Sequence, residues 1–279
     1  MGVRRGRGVR APGVEAGARV YGFLPTASHL VVRPDRADGR GFRDAAGHRA
    51  ALPAAYNAYA LTTGDPSYDA AREDLQVLFR PLFLISFLLA DQLQETPGTV
   101  VLSSASSKTA YGAAFLLRAA GREVVGLTSP GNLAFTESLG CYDRVLTYDE
   151  AASLPREHTA YVDLAGSTPL RQALHTALAD WLLLDLVVGV THQDSGSAGR
   201  LPGPRPTVFF APDRLQQRSA DWGRAGFDER FAQAWGSFVP AVEGWVDLTV
   251  GSGPQGLQSA YLEVLAGRTD PRTGHVLQL

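Results

Sequence analysis

The 279-residue chain has a single cysteine, Cys141. That excludes a disulfide framework and zinc sites built from paired CxxC motifs. The six histidines (His29, His48, His158, His175, His192 and His275) form neither an HExxH motif nor an i, i+4 pair, which argues against a metal site. Lysine is almost absent while Ala, Arg, Gly and Pro abound, the imprint of a GC-rich coding bias rather than of a fold. No charge of one sign dominates either. The 26 basic and 28 acidic residues leave a formal charge of −2, so the chain as a whole has no electrostatic footprint for nucleic acid. The longest apolar stretch, Pro81 to Ala90, is shorter than the roughly 20 residues that span a bilayer. Arg4, Arg5, Arg7 and Arg10 open the chain among glycines with no apolar run behind them, which disfavours an export signal. This basic start reads as a tail rather than a nucleic-acid arm. The expectation is a cytoplasmic protein with no membrane or nucleic-acid partner. An apolar content of 45% supplies the core of one large domain or two ordinary ones.

What the chain does have is a stretch from Val100 to Leu117, VVLSSASSKTAYGAAFLL. A β-branched run enters a Ser-rich turn that opens directly into an Ala-rich helix. That is the strand–turn–helix start of a dinucleotide-binding unit. Glycines normally lie against the pyrophosphate there, whereas this chain has Ser106, Ser107, Lys108, Thr109 and Ala110. The SKT triplet resembles the end of a P-loop but lacks its glycine spacing, so nucleotide hydrolysis is rejected.

From Thr99 onward the pattern is regular. TVVLSS, EVVGLTS, YDRVLTY, TAYVDLAG, LLLDLVVGV and TVFFAP read as six strands. Helices alternate with them, one ending near Gly121, one over Leu133–Leu139, and one over Leu170–Ala179 with Thr168-Pro169 as cap and first turn. Such spacing indicates right-handed crossovers and a parallel sheet buried on both faces. The flanks differ: Ala18–Val32 reads as short strands, Arg49–Thr62 and Tyr68–Leu93 as helical, Gln255–Ala266 as helix, and the C-terminus as a final strand. The loop Gln193–Pro206 is a flap or a connector.

The candidate chemistry gathers at the turns. Ser104, Ser106, Ser107 and Thr109 offer hydroxyl donors and Lys108 a cation at a helix N-terminus, where backbone N–H groups and the helix dipole favour phosphate. The alternative is that the serines merely cap the helix. After the second strand come Thr128, Ser129, Gly131 and Asn132, with no acid before Glu137 to accept from a ribose 2′-hydroxyl. That tilts towards NADP over NAD; an ordinary polar turn is the competing reading. Gly166, after the fourth strand, lies where the sheet's carboxyl edge meets a ligand. Tyr56, Asn57 and Tyr59 are suited to orient a carbonyl or donate a proton, or else to fill a core.

Together these segments resemble the medium-chain dehydrogenase/reductase superfamily, most closely a branch of unassigned function related to quinone oxidoreductases. The segments that carry it are ARVYGF (18–23), HRAALPAAYNAY (48–59), PLFLISFLL (81–89), VVLSSASSKTA (100–110), GLTSPGNLAFTESLGCYDRVLTYD (126–149), YVDLAGS (161–167) and VVGVTH (187–192). The resemblance implies an α/β fold, a Rossmann-like doubly wound parallel sheet plus an incomplete GroES-like β domain. It divides the chain into residues 1–93 (substrate domain), 94–240 (cofactor domain) and 241–279 (return to the substrate domain). It implies NADPH in the cleft, Tyr148 near the adenine, Val190 near the nicotinamide, a small-molecule substrate and a homodimer. Three departures accompany it: the opening strands of the GroES-like barrel would precede Ala18, the phosphate-turn glycines are replaced, and Gly131 stands where a basic residue is expected. The implied activity is zinc-independent, NADPH-dependent reduction of an enone, quinone or related carbonyl compound, with a Tyr or water supplying the proton. The alternative is a non-redox descendant of the fold acting as an accessory or binding protein.

Overall fold

The computed structural model describes residues 1–6, 8, 11–52, 54–188, 201–267 and 269–278. The chain forms two compact units, one of Met1–Pro81 with Trp222–Leu279, the other Leu82–Asp221. The resemblance sets its boundaries at 93/94, the end of the predicted helix Tyr68–Leu93, and at 240/241. The two compact units divide inside two long helices.

The first unit begins with β1 (Gly2–Arg5), β2 (Arg19–Gly22), β3 (Pro34–Asp38), β4 (Gly41–Asp44) and β5 (Ala58–Leu61), an antiparallel sheet in the order β1-β2-β5-β4-β3. Two expectations are corrected here. The basic start is not a loose tail: Gly2 pairs with Gly22 and Arg5 with Arg19. An edge strand accommodates such charged side chains, and β2 gains the backbone partners it would otherwise lack. Arg10 and Arg7 lie outside the described residues. Nor is Arg49–Thr62 helical; single turns at Gly47–Arg49 and Ala54–Asn57 lead into β5. Alanine-rich AAYNAYAL has helical propensity, but Tyr59 stacks on Phe42 with ring centroids 5.3 Å apart, and strand pairing on both sides overrides it.

Helix α1 (Glu73–Leu93) starts in this unit and ends in the second; the divide falls at Pro81, which has no N–H to continue the helical bonding. The second unit continues through β6 (Thr99–Leu102), α2 (Lys108–Ala119), β7 (Val124–Thr128), α3 (Leu133–Ser138), β8 (Arg144–Thr147), β9 (Thr159–Asp163), α4 (Thr168–Leu178), β10 (Leu182–Val187) and β11 (Thr207–Val208). Its six strands are parallel, in the order β8-β7-β6-β9-β10-β11. Val101, Val125, Leu127 and Tyr161 pack with Leu170, Leu174 and Leu178 of α4. Their alternates Val100, Leu102, Val124 and Val162 are equally buried, so both faces of the sheet are covered. The cap of α4 is Ser167, whose Oγ accepts from Leu170 N, one residue earlier than expected. Thr168 and Pro169 are the first two helical residues. Residues 193–200 of the Gln193–Pro206 loop lie outside the described residues.

Helix α5 (Ala211–Val242) is interrupted at Gly223, whose φ of 68° and ψ of 162° are not helical. Its later half returns to the first unit, where Phe238 packs against Phe79 and Trp245. The chain ends with β12 (Asp247–Ser252), α6 (Gly253–Leu265) and β13 (Thr273–Gln278), the two strands pairing in parallel. Neither α5 nor β12 was anticipated from sequence. No helix of the described residues is long and apolar enough to cross a membrane.

Candidate functional site

In a parallel sheet every strand ends at the same edge. The turns after β6, β7, β8 and β9 therefore share one rim, and each carries residues singled out from sequence. The strand order also reverses there: from β6 the chain runs outward through β7 and β8, then returns to the other side of β6 for β9. Adjacent loops diverge at such a point and leave a crevice, the place where open α/β sheets bind ligands.

The turn after β6 is built without glycine. Ser103 is fully buried and Ser104 adopts φ 52°, a left-handed conformation that favours glycine. The strain is held by neighbours. Ser104 O accepts from Ser107 N at 2.8 Å, Ala105 N donates to Leu127 O at 3.0 Å, and Tyr142 Oη donates to Ala105 O at 2.8 Å. Ser107 caps α2, its Oγ accepting from Ala110 N at 3.3 Å. Lys108, the first residue of α2, is the only lysine in the sequence. Thr109 O accepts from Ser86 Oγ at 2.8 Å, anchoring the first turn of α2 on α1.

After β7, Thr128 is buried, and among the described residues its Oγ1 has no hydrogen-bond partner. Ser129 precedes a single helical turn, and Asn132 Nδ2 donates to Ser106 Oγ at 3.1 Å. Gly131 is exposed. After β8, the half-buried Tyr148 packs on the α4 side of the core and hydrogen-bonds Ser104; burial raises its phenol above the usual tyrosine range against that bond. After β9, Gly166 at φ 69° donates its N–H to Asp163 Oδ1 at 2.8 Å. The fold thus brings Ser104, Ser106, Ser107, Lys108, Thr109, Thr128, Ser129, Asn132, Tyr148 and Gly166 to one rim. Val190 lies outside the described residues.

The other predicted group, Tyr56, Asn57 and Tyr59, belongs to the first unit. Tyr59 is 2% exposed and its hydroxyl donates to Phe23 O at 3.2 Å; burial raises its phenol too. Asn57 is buried and exchanges two 2.9 Å bonds with Arg49, through its Oδ1 and its Nδ2. Their polar groups serve this loop. Tyr56 is exposed, its ring 4.7 Å from that of Phe23.

The sequence reading missed Ser103 and Asp163. Ser103 Oγ donates to Asp163 Oδ1 at 3.1 Å and accepts from the N–H groups of Leu164 at 2.9 Å and Ala165 at 3.0 Å. The available signal was an Asp closing an apolar strand, TAYVD, since a buried carboxylate needs partners. Among the described residues, no group of three or more His, Cys, Asp or Glu is placed to hold a metal ion.

The second unit has the architecture of a Rossmann-like parallel sheet covered by helices, and the first is built on an antiparallel β sheet. The sequence matches the family described as "Protein of unknown function (DUF2855)" over residues 9–270, and the chain belongs to that family. No curated protein sequence matches it. Among solved structures it is similar to a protein of Mesorhizobium loti assigned as an NADPH:quinone reductase, with a TM-score of 0.60 and 15% identity over 95% of this chain and 71% of the other. It is also similar to CurA of Vibrio vulnificus in complex with NADPH, with a TM-score of 0.54 and 14% identity over 79% and 68%. The YhdH oxidoreductase of Salmonella enterica in complex with NADP gives a TM-score of 0.52 and 13% identity over 96% and 78%. At these identities the likeness is one of fold.

Proposed function

We propose that the chain is an NADPH-dependent reductase of enones, quinones or related carbonyl compounds. The observation that carries this reading is the rim itself: ten polar or small residues from four consecutive turns meet where the strand order reverses. One of them is a buried hydroxyl, Thr128 Oγ1, without a protein partner among the described residues. Similar solved structures in complex with NADPH or NADP support the same ligand.

In this reading the N-terminus of α2, Ser106, Ser107 and Lys108 hold the pyrophosphate. Side-chain hydroxyls and an ammonium do what close backbone approach does in a glycine turn. Thr128, Ser129 and Asn132 face the adenosine ribose, where the lack of a carboxylate admits a 2′-phosphate. Tyr148 supplies an apolar wall for the adenine, and Gly166 gives room at the nicotinamide end. The bound cofactor supplies the hydride. Of the three residues proposed to act on substrate, Tyr56 keeps an exposed ring to orient a carbonyl or deliver a proton, while Asn57 and Tyr59 shape the loop that presents it.

Lys108 makes the test direct. It is the only side-chain amine, so acylation with a lysine reagent, read by mass spectrometry, reports occupancy of the turn. NADPH is expected to protect Lys108 from acylation and to raise the melting temperature, with NADH doing less of both. Neither nucleotide giving protection would exclude the reductase reading. A second reading, a binding protein of this fold with no redox chemistry, draws on one observation: Ser104 at φ 52° puts a side chain where glycine would leave the backbone bare. It requires that no dinucleotide bind.

A further inference from the structure

Beneath the rim lie four charged or titratable side chains that the cofactor reading leaves unused. Asp163 closes β9 and Asp185 lies in β10, and both side chains are fully buried. Helix α4 supplies Arg171 and His175, one turn apart. Arg171 Nη2 donates to Asp163 Oδ2 at 2.6 Å, and its Nε lies 2.9 Å from Asp185 Oδ2. His175, with no exposed surface, has Nε2 2.8 Å from that same Asp185 oxygen and Nδ1 2.6 Å from the carbonyl oxygen of Pro202.

The two oxygens of Asp163 have different tasks. Oδ2 takes the guanidinium. Oδ1 accepts from Ala165 N at 3.1 Å, Gly166 N at 2.8 Å and Ser103 Oγ at 3.1 Å. One carboxylate therefore clamps the turn after β9 and ties it to the turn after β6, while a cation from α4 fixes its orientation. The charges also close. A carbonyl oxygen cannot donate, so His175 Nδ1 carries a hydrogen, and the 2.8 Å approach of Nε2 to Asp185 requires a second proton between them. Arg171 then balances Asp163, and the His175–Asp185 pair is neutral. Burial, the largest cause, pushes the Asp185 carboxyl up from its ordinary value, in keeping with a shared proton.

We propose that Arg171 is a positioning residue for the dinucleotide: by locking Asp163 it sets the Leu164–Gly166 backbone at the height and angle the cofactor requires. This rests on the proposed reading of the rim as an NADPH site. Arg171 itself lies beneath the rim and acts through Asp163. Without the guanidinium, Asp163 is a buried, unbalanced anion. It then relaxes towards water or takes up a proton, and either change loosens its hold on Ala165 and Gly166.

The experiment measures NADPH dissociation constants by fluorescence titration, with melting temperatures alongside, for the parent, Arg171→Met, Arg171→Lys and the double variant Arg171→Met/Asp163→Asn. The asparagine keeps an acceptor oxygen for Ala165 and Gly166 while removing the charge Arg171 balanced. Groups in one ion-pair network couple strongly enough that Arg171→Met should weaken NADPH about tenfold. Arg171→Lys should fall between it and the parent, and the double variant should regain most of the loss. Should Arg171→Met not fold, the lysine and double variants still rank against the parent. Folded single variants binding NADPH as the parent does, or a double variant no better than Arg171→Met at equal melting temperature, would overturn the proposal. A parent that binds no NADPH would instead overturn the cofactor reading on which it rests.

Discussion

Asn132 Nδ2 donates to Ser106 Oγ across 3.1 Å, the bond that joins the turn after β7 to the turn after β6. In the proposed reading it fixes the spacing between the stretch assigned to the ribose and the stretch assigned to the pyrophosphate. Asn132→Ala loses a half-exposed hydrogen bond, so the expected cost is about 0.5–1.5 kcal/mol in stability. Asn132→Asp is the sharper probe. Ser106 Oγ can turn and donate to the new carboxylate, keeping the link, but the added charge repels a 2′-phosphate and welcomes a 2′-hydroxyl. The NADPH-to-NADH affinity ratio should fall in Asn132→Asp and hold in Asn132→Ala. Titration of both nucleotides checks this, and an unchanged ratio in the aspartate variant would move Asn132 away from the ribose.

Lys108 stands at the first residue of α2 in a chain that otherwise uses arginine for every long cation. If it meets the pyrophosphate, Lys108→Ala removes a charge-assisted contact of about 1.5–3 kcal/mol, roughly ten- to hundredfold in affinity. The difference between parent and variant should shrink as salt rises. A solvated lysine would change stability by less than about 0.5 kcal/mol and leave binding untouched. Equal dissociation constants for the two proteins would take Lys108 out of the site.

The legible part of this fold was the part made of local, repeating signals. Strands such as TVVL and VVGLT are buried on both faces and therefore read as unbroken apolar runs, and serine and glycine mark the helix ends beside them. Their alternation determines a parallel sheet, and the sheet determines which turns share a rim. The place of Ser106, Lys108, Asn132 and Gly166 on that rim thus follows from the strand pattern. Pairing between distant segments left weaker traces. The residues that pair with Gly2–Arg5 are those of Arg19–Gly22, beyond a long intervening stretch, and alanines in Ala58–Leu61 point to helix until Phe42 gives Tyr59 a ring to stack on. Buried polar groups were the least legible. Arg171 and His175 look like ordinary helix-surface residues in TPLRQALHTAL, and only Asp163 and Asp185 arriving from two neighbouring strands turn that face into a charged interior.

Gly126 shows how closely the turn is backed. A Cβ at this position of β7 would lie 2.9 Å from Ala105 Cβ and 3.0 Å from Cδ1 of Tyr142. Neither neighbour is the free end of a flexible chain: Ala105 belongs to the turn and Tyr142 is pinned to its carbonyl. Overpacking of this kind costs about 1–3 kcal/mol. Gly126→Ala should lower the melting temperature and, by pushing Ala105 outward, weaken NADPH beyond what the stability loss accounts for. Thermal melts with nucleotide titration on the folded protein separate the two effects. A variant that melts and binds like the parent would show that the turn is not held from behind.

The one cysteine offers a test of burial through pH. Cys141 is free and buried, and burial pushes its thiol up to about 12. In the unfolded chain a thiol ionises near pH 8.5. The folded value is the higher one, so the protonated thiol's contribution to stability is complete below the unfolded pKa. It erodes as pH climbs past that value, and is gone above the folded one. In the window from about pH 9 to 10, before the tyrosines of the unfolded chain ionise, the slope from this group approaches about 1.4 kcal/mol per pH unit. Above it Tyr111, Tyr142 and Tyr161, all raised by burial, add to the decline. Denaturant unfolding across this window should show stability falling with pH in the parent and a flatter curve in Cys141→Ala. The thiol of the folded parent should also resist a disulfide-exchange reagent at pH 8 until denaturant is added. Equal slopes for the two proteins, or prompt labelling of the native state, would place Cys141 in contact with water and refute the packing that seats Tyr142 beneath the turn.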